Sequence, residues 1–376
     1  MSVQDGSANH GSRGSVVKTA GISLVLAAVA VFPAAGSLRA DADSIRAAFG
    51  IPEIGYAVVS ADSVLEVETL GFQRAGEAVP SGPDDRFHLG SCTKAITGLM
   101  AGGMVHRGEV AWDSRFFDLC PEFQPGSHAG YGDITLVDLL SHRGWLRPLT
   151  EDEEFPDPNG FTGDASEQRQ KFVEWVLTLD PVDTEERYSY SNAGYSAAAV
   201  MLERASGSTW EELVKGLGEE LGLEFGLSWP NAADSLQPWG HRAGGGGLIP
   251  TPPTDPYDLR WVKPARDINM SISEYAEFLR MQLHGLRGDG PILSREEYEF
   301  LHSGVPDHYS IGWAWGVNGE GHLVSAHSGS ADTFWCYARV IKEVDRAYGV
   351  FANCGSESCD EGARKLLPRL VKEYGN

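Results

Sequence analysis

The sequence is poor in positive charge. Of its 376 residues, 30 are Lys or Arg and 53 are Asp or Glu, a formal net charge of −23. A field of that sign repels phosphate backbones and acidic headgroups, which excludes nucleic acid and anionic membrane surfaces as partners. Cysteine is scarce: Cys92, Cys120, Cys336, Cys354 and Cys359, with no Cys-x-x-Cys pair and no disulfide framework. The odd number leaves at least one free thiol, and Cys354 and Cys359 are near enough for a local bridge in an oxidising compartment. Gly-x-Ser-x-Gly, His-Glu-x-x-His and Gly-x-x-x-x-Gly-Lys do not occur. Nothing therefore points to an α/β-hydrolase elbow, a zincin helix or a P-loop. There is no internal repeat, and no cofactor or metal is expected.

Hydrophobic residues make up 42% of the chain and aromatics 10%, enough for a sizeable core. The length suits two domains or one large two-lobed domain. Arg13 and Lys18 precede an uncharged apolar run from Gly21 to Phe32, followed by Pro33 and Ala40-Asp41-Ala42. A basic start, a short apolar stretch and a small-residue site form a secretory signal, expected over residues 1–42. Cleavage after Ser37, Ala40 or Ala42 is open. The run is short for a membrane-spanning helix, although an uncleaved N-terminal anchor stays open. The expected protein is exported, secreted or periplasmic. The acidity belongs to the remainder, since residues 1–42 hold three basic and two acidic groups.

Glu53–Ser60 and Ser63–Gly71 read as strands around a turn. Ser91–Arg107 reads as a helix with Ile96, Leu99, Met100 and Met104 on one face. Ile134–Leu140, Glu167–Leu179, Tyr195–Ser206, Trp210–Leu221 and Ser271–Leu283 read as helices. Ser208 or Thr209 caps the fourth of these, and Ser271 or Ser273 the last. Glu151–Glu167 and Pro230–Lys263 read as loops. The acidic Glu151–Glu154 run is a solvated face, and Gly244–Gly247 lacks the strand and helix of a phosphate cradle. Tyr309–Gly316, His322–Ala326, Thr333–Ile341 and Tyr348–Asn353 read as strands, and Glu361–Tyr374 as a closing helix. Strands at both chain ends and helices between them predict an α+β fold. One antiparallel sheet flanked by helices would come from residues 43–92 and 309–376, with a mostly helical lobe, 93–308, inserted.

Three short patterns carry chemistry. Ser91 and Lys94 lie one helical turn apart, so hydroxyl and amine share a face. The helix start aims backbone N–H groups at a developing oxyanion. Tyr190 and Asn192, two apart in an extended segment, face one cleft. A phenol passes protons, and an amide orients a lysine or a carbonyl. His327 and Gly329 share a strand face, with the N–H of Ser330 as an oxyanion donor. Each pattern alone has a bland alternative: a helix cap, an aromatic core turn, a structural histidine. Trp145 and Trp335 are equally suited to line a pocket or fill a core, and His142 reads as structural, near the cleft.

The flanks decide between these readings. Phe87-His88-Leu89-Gly90-Ser91-Cys92-Thr93-Lys94 resembles the nucleophile segment of class C β-lactamases and the penicillin-recognising serine hydrolases. Leu139-Leu140-Ser141-His142 with Gly144, Tyr188-Ser189-Tyr190-Ser191-Asn192, Tyr309-Ser310-Ile311-Gly312-Trp313 and His327-Ser328-Gly329-Ser330 are similar to that family's later motifs, in the same order. The resemblance runs from about Glu53 to Arg369. It implies a β-lactamase/transpeptidase-like fold and acyl transfer through a serine ester on a small-molecule or peptide substrate. Ser91 would be the nucleophile, and Lys94 and Tyr190 a proton-transfer pair whose base is left open. Asn192 would position Lys94 and the substrate amide. His327 stands at the third motif, the N–H groups of Ser91 and Ser330 would form the oxyanion hole, and Gly329, Trp145 and Trp335 would border the substrate. Many β-lactamases of the family carry a lysine where His327 stands, so a D-amino-acid peptidase or esterase is expected ahead of a β-lactamase. A cell-wall peptide recognition module without turnover is the alternative. Arg143 and Arg242 are candidates to restore positive charge at the cleft. The sequence sets no oligomeric state.

Overall fold

The computed structural model describes residues 38–150, 160–182, 187–255 and 259–375. The expected signal segment up to Ser37 and the acidic Glu151–Glu154 run lie outside these residues. The first half of the chain runs α1 (Leu38–Ala48), β1 (Glu53–Val59), β2 (Val64–Gly71), β3 (Arg86–His88), α2 (Thr93–His106), α3 (Phe116–Leu119), α4 (Leu136–Leu140), α5 (Ala165–Thr178), α6 (Asn192–Ser206) and α7 (Trp210–Leu221). It continues through β4 (Gly226–Leu227), α8 (Pro230–Ala233), β5 (His241–Gly244), β6 (Gly247–Pro250), α9 (Lys263–Arg266), β7 (Ile268–Ser271), α10 (Ile272–Arg287) and α11 (Arg295–Ser303). Strands β8 (Ala314–Val317), β9 (Leu323–Ser330), β10 (Trp335–Ile341) and β11 (Arg346–Ala352) precede the closing helix α12 (Glu357–Tyr374).

The main sheet has the order β2-β1-β11-β10-β9-β8, antiparallel throughout, so strands from the two chain ends pair as expected. Every residue of β1 is buried, because the sheet is covered on both faces. Alternate residues Ile54, Tyr56 and Val58 join a core with Leu366 and Leu370 of α12, whereas Ala57 and Val59 join a second core with Tyr275 and Leu279 of α10. Helix α10 packs on β1, β2 and β11. The sheet lobe therefore takes a helix from the middle of the chain, which the expected boundary at residue 309 had assigned to the helical lobe. Residues Leu38–Ala42, ahead of the expected cut after Ala42, form the first part of α1. Ala42 there is fully buried, and Asp41 pairs with Arg369 of α12.

Helix α2 departs from the amphipathic reading. Thr93 to Met104 are all buried, not one stripe of them, because the helix runs between the two lobes. Its glycines are where neighbours come closest: a Cβ on Gly98 would lie 2.9 Å from a methyl of Ile311. Of the cap alternatives, Thr209 and Ser271 are the residues used, each in a capping box with the glutamate three positions on, Glu212 and Glu274. Helix α11 and the β5–β6 hairpin, inside a stretch read as loop, were not expected. In the strand expected from Tyr309, left-handed Asp307 and His308 and a glycine at 312 with φ +78° keep the chain in a turn until Ala314.

Candidate active site

Ser91 sits in a tight turn, Gly90–Cys92, that leads into α2. Gly90 has φ +50°, and a Cβ there would come 2.6 Å from the backbone N of Ser330. Only glycine meets both requirements. His88 steadies the turn: its Nδ1 accepts from the Gly90 N–H at 3.2 Å, which leaves Nε2 to donate to Asp267 at 3.4 Å.

Lys94, one turn beyond Ser91, is fully buried. Its Nζ has three partners: Asn192 Oδ1 at 2.8 Å, the Ala265 carbonyl at 3.1 Å and Ser91 Oγ at 3.3 Å. Burial, and secondarily the positive charge of Arg266, hold its pKa well below the lysine range. A neutral amine has two N–H donors and one lone pair. Two of the partners can only accept, and the third carries a hydroxyl proton. The amine donates to the Asn192 and Ala265 oxygens, and its remaining position meets the Ser91 hydroxyl, which can accept from it or donate to it.

Tyr190 and Asn192 do not share an extended segment as read. Ser191 caps α6 through its side chain, accepting from Gly194 N–H at 3.1 Å, so Asn192 is already the first helical residue. The two side chains still converge, because Lys94 Nζ lies 4.6 Å from the centre of the Tyr190 ring. Burial pushes the Tyr190 phenol up, against a smaller opposing pull from the Ser91 hydroxyl. Asn192 Nδ2 donates to the Leu149 carbonyl at 3.0 Å. Its amide thus holds Lys94 and the loop before it. His142 backs this wall, accepting from Ser191 N–H at 3.1 Å with its ring centre 4.3 Å from that of Tyr190.

His327 and Gly329 face α2 from β9. A Cβ on Gly329 would lie 1.9 Å from the Leu89 carbonyl and 2.9 Å from Ser91 N, so the strand lies directly on the Ser91 turn. Ala331 N–H donates to the Phe334 carbonyl at 3.2 Å, which makes these two the hydrogen-bonded pair of the β9–β10 hairpin. The ladder alternates, so the N–H of Ser330, one residue earlier, points away from β10, toward Gly90 and Ser91. The Ser91 N–H lies in a first helical turn, where amides have no intrahelical partner. The amides of Ser91 and Ser330 thus both lie where β9 meets the Ser91 turn. His327 is buried, with Nδ1 2.7 Å from the Ser328 carbonyl and Nε2 3.1 Å from the Tyr309 hydroxyl. A carbonyl only accepts, so Nδ1 carries a proton, and Nε2 shares its hydrogen bond with the Tyr309 hydroxyl: the ring is held from both sides.

The model of the family described as "Beta-lactamase" matches residues 38–369. The chain belongs to the beta-lactamase family. Penicillin-binding protein 4 of Amycolatopsis lactamdurans is 26% identical over 322 residues, 80% of each chain. A class C beta-lactamase from Rhodobacter sphaeroides superposes with a TM-score of 0.71 at 17% identity, over 89% of this chain and 100% of that one. A D-amino acid amidase from Ochrobactrum anthropi SV3 superposes with a TM-score of 0.70 at 16% identity, over 90% and 99%. The fold is β-lactamase/transpeptidase-like, with the antiparallel sheet and helical lobe described above.

Within that family fold, four further residues singled out from the sequence have these places. Trp145 is half-buried against the helical lobe, with the Arg187 guanidinium 4.2 Å over its ring and its carbonyl accepting from Val182. Trp335 pairs with Ser330 across β9–β10 and so faces α12, away from Ser91. There it borders a cavity of about 300 Å³ with Ser328, Ser330 and Arg364. Arg143 is tied to the carbonyls of Ser141, Tyr309 and Pro306, and Arg242 pairs with Asp255 at 3.0 Å. The cation that does reach the site is Arg266, which follows the residue that accepts from Lys94. Its only sequence signal was a Lys263–Arg266 pair of basic residues beside Pro264, which points nowhere without the fold.

Proposed function

We propose that the chain is an exported serine hydrolase that opens an amide or ester through an acyl-serine intermediate, without a cofactor. The observation that carries this is the partner set of Lys94: two acceptors and one hydroxyl around an amine kept neutral by burial. Neutral Lys94 takes the Ser91 proton as Oγ bonds to the substrate carbonyl carbon. The charge that develops on the carbonyl oxygen is met by the N–H groups of Ser91 and Ser330. The bond to the leaving group breaks as Tyr190, which holds its proton, donates it there. Lys94 returns a proton to Tyr190, and the same groups then activate water against the acyl-serine. Lys94 is the base in this reading because its pKa is lowered, while that of Tyr190 is raised.

One feature supports a D-amino-acid peptidase, amidase or esterase ahead of a β-lactamase. A histidine, His327, with both ring nitrogens engaged by Tyr309 and the Ser328 carbonyl, stands at the position where many β-lactamases of the family have lysine. Export fits the Cys354–Cys359 bridge and the apolar run up to Phe32. We place the signal cut after Ser37, because a cut after Ala42 would remove the first half of α1. Intact mass after a fluorophosphonate or penicillin probe tests the reading. An adduct on the wild type that disappears in Ser91→Ala is expected. Folded protein that no acylating probe labels would leave a recognition module without turnover.

A further inference from the structure

One short segment, where α9 meets β7, holds the whole nucleophile turn. The Ala265 carbonyl accepts from Lys94, and Asp267 Oδ1 accepts from His88 Nε2 at 3.4 Å. The Ile268 carbonyl accepts from Leu89 N–H at 2.8 Å, and Ile268 N–H donates to Thr93 Oγ1 at 3.0 Å. Three of these contacts use a backbone group of the segment. The other joins two buried side chains, His88 and Asp267. Asp267 Oδ2 has no hydrogen-bond donor, and Lys263 Nζ at 3.7 Å balances its charge.

The pair acts on the peptide just before Ser91. Gly90 N–H donates to His88 Nδ1 at 3.2 Å, the same bond to the backbone two residues on that asparagine makes in an Asx turn. The carbonyl of that peptide, on Leu89, accepts from Cys92 N–H at 3.1 Å and from the Cys336 thiol at 2.7 Å. A peptide is planar, so gripping it at both ends fixes ψ of Leu89 and φ of Gly90. Those two angles, with Gly90 at φ +50°, aim Ser91. An imidazole accepts at Nδ1 only while that nitrogen is bare. Burial lowers the His88 pKa, against a smaller opposing effect of Asp267, so the ring is neutral with its proton on Nε2, toward Asp267.

We infer that His88 is a positioning residue for acyl transfer: its Nδ1, kept in the accepting tautomer by Asp267, clamps the Leu89–Gly90 peptide and so sets the orientation of Ser91. This rests on the acyl-serine reading above. The His88 ring also packs on Trp229, with centres 4.4 Å apart, and two substitutions separate packing from hydrogen bonding. His88→Phe keeps a ring and removes the acceptor, whereas His88→Asn removes the ring and returns an acceptor near the place of Nδ1. His88→Phe lowers kcat on a nitrophenyl ester about 10- to 100-fold with little change in KM, because a buried donor left unmet lets the turn shift. His88→Asn recovers most of that loss. Equal losses in the two variants, wild-type kcat in His88→Phe, or a loss confined to KM overturns the assignment. Nitrogen NMR of the His88 ring, assigned by the signal that His88→Asn removes, needs no turnover. A bare Nδ1 and a protonated Nε2 in wild type and Ser91→Ala support the clamp, and a proton on Nδ1 overturns it. Failure of the enzyme reading shows separately, as folded wild type that no acylating probe labels, and the ring spectrum then still decides whether His88 holds the turn.

Discussion

Lys94 Nζ and Asn192 Oδ1 stand 2.8 Å apart, joining the first turn of α2 to the first residue of α6. The amide gives the amine an acceptor without giving it a counter-charge, so burial can keep it neutral. Asn192→Asp puts a carboxylate in the same place. The ammonium form is then favoured, and Lys94 loses its proton only at higher pH. The acid limb of kcat/KM, measured with an ester, should move upward by about one pH unit or more. A limb that stays put removes Lys94 from the role of base.

The raised pKa of Tyr190 predicts a split between substrates. Nitrophenolate leaves without help, whereas an amine must be protonated as it leaves. Tyr190→Phe should lower amide hydrolysis by about 10²-fold or more and nitrophenyl ester hydrolysis much less. Equal losses on the two would make the phenol a packing group.

Gly329 tests the oxyanion wall. Alanine there would drive a methyl into the Leu89 carbonyl and toward Ser91 N, parting β9 from the nucleophile turn. Ser330 N–H then moves out of reach. Gly329→Ala should lose about 10²–10³ in kcat, the scale of one oxyanion donor. Near-wild-type kcat in a folded variant would place the oxyanion elsewhere.

Glu53 is fully buried at the head of β1, with neither carboxyl oxygen hydrogen-bonded. Burial, and then the charge of Asp85 beside it, raise its pKa well above the carboxylate range. A group raised by folding stabilises fully below its unfolded pKa, and that contribution is lost as pH rises through the folded pKa. Glu53→Gln does not titrate. Its stability, followed by melting temperature, should therefore gain on the wild type progressively as pH rises above about 5, by ~1.4 kcal/mol for each pH unit over which Glu53 stays protonated. A constant difference across that range would mean that Glu53 is ionised throughout.

Local features were legible in the sequence because their causes are local. The Ser91–Lys94 spacing is fixed by one turn of helix, and the caps at Thr209 and Ser271 by their own following glutamates. Strands read at both chain ends gave the antiparallel sheet. Asn192 and Lys94 could be matched only through family motifs, since no spacing links them. Tertiary packing decided the rest. It turned Trp335 to the α12 side, because a strand residue's face depends on register with its neighbour. It engaged His327 with Tyr309 and the side-chain nitrogen of Asn192 with the Leu149 carbonyl. Arg143 and Arg242 became structural for the same reason: their partners are carbonyls and a carboxylate that only the folded chain brings near. The sequence by itself determined a candidate nucleophile, its neighbouring amine and the sheet whose β9 strand lies against them. The fold alone decided which charges reach that amine, because Arg266 and Lys94 meet where the two lobes close on each other, and burial there sets the pKa of the amine.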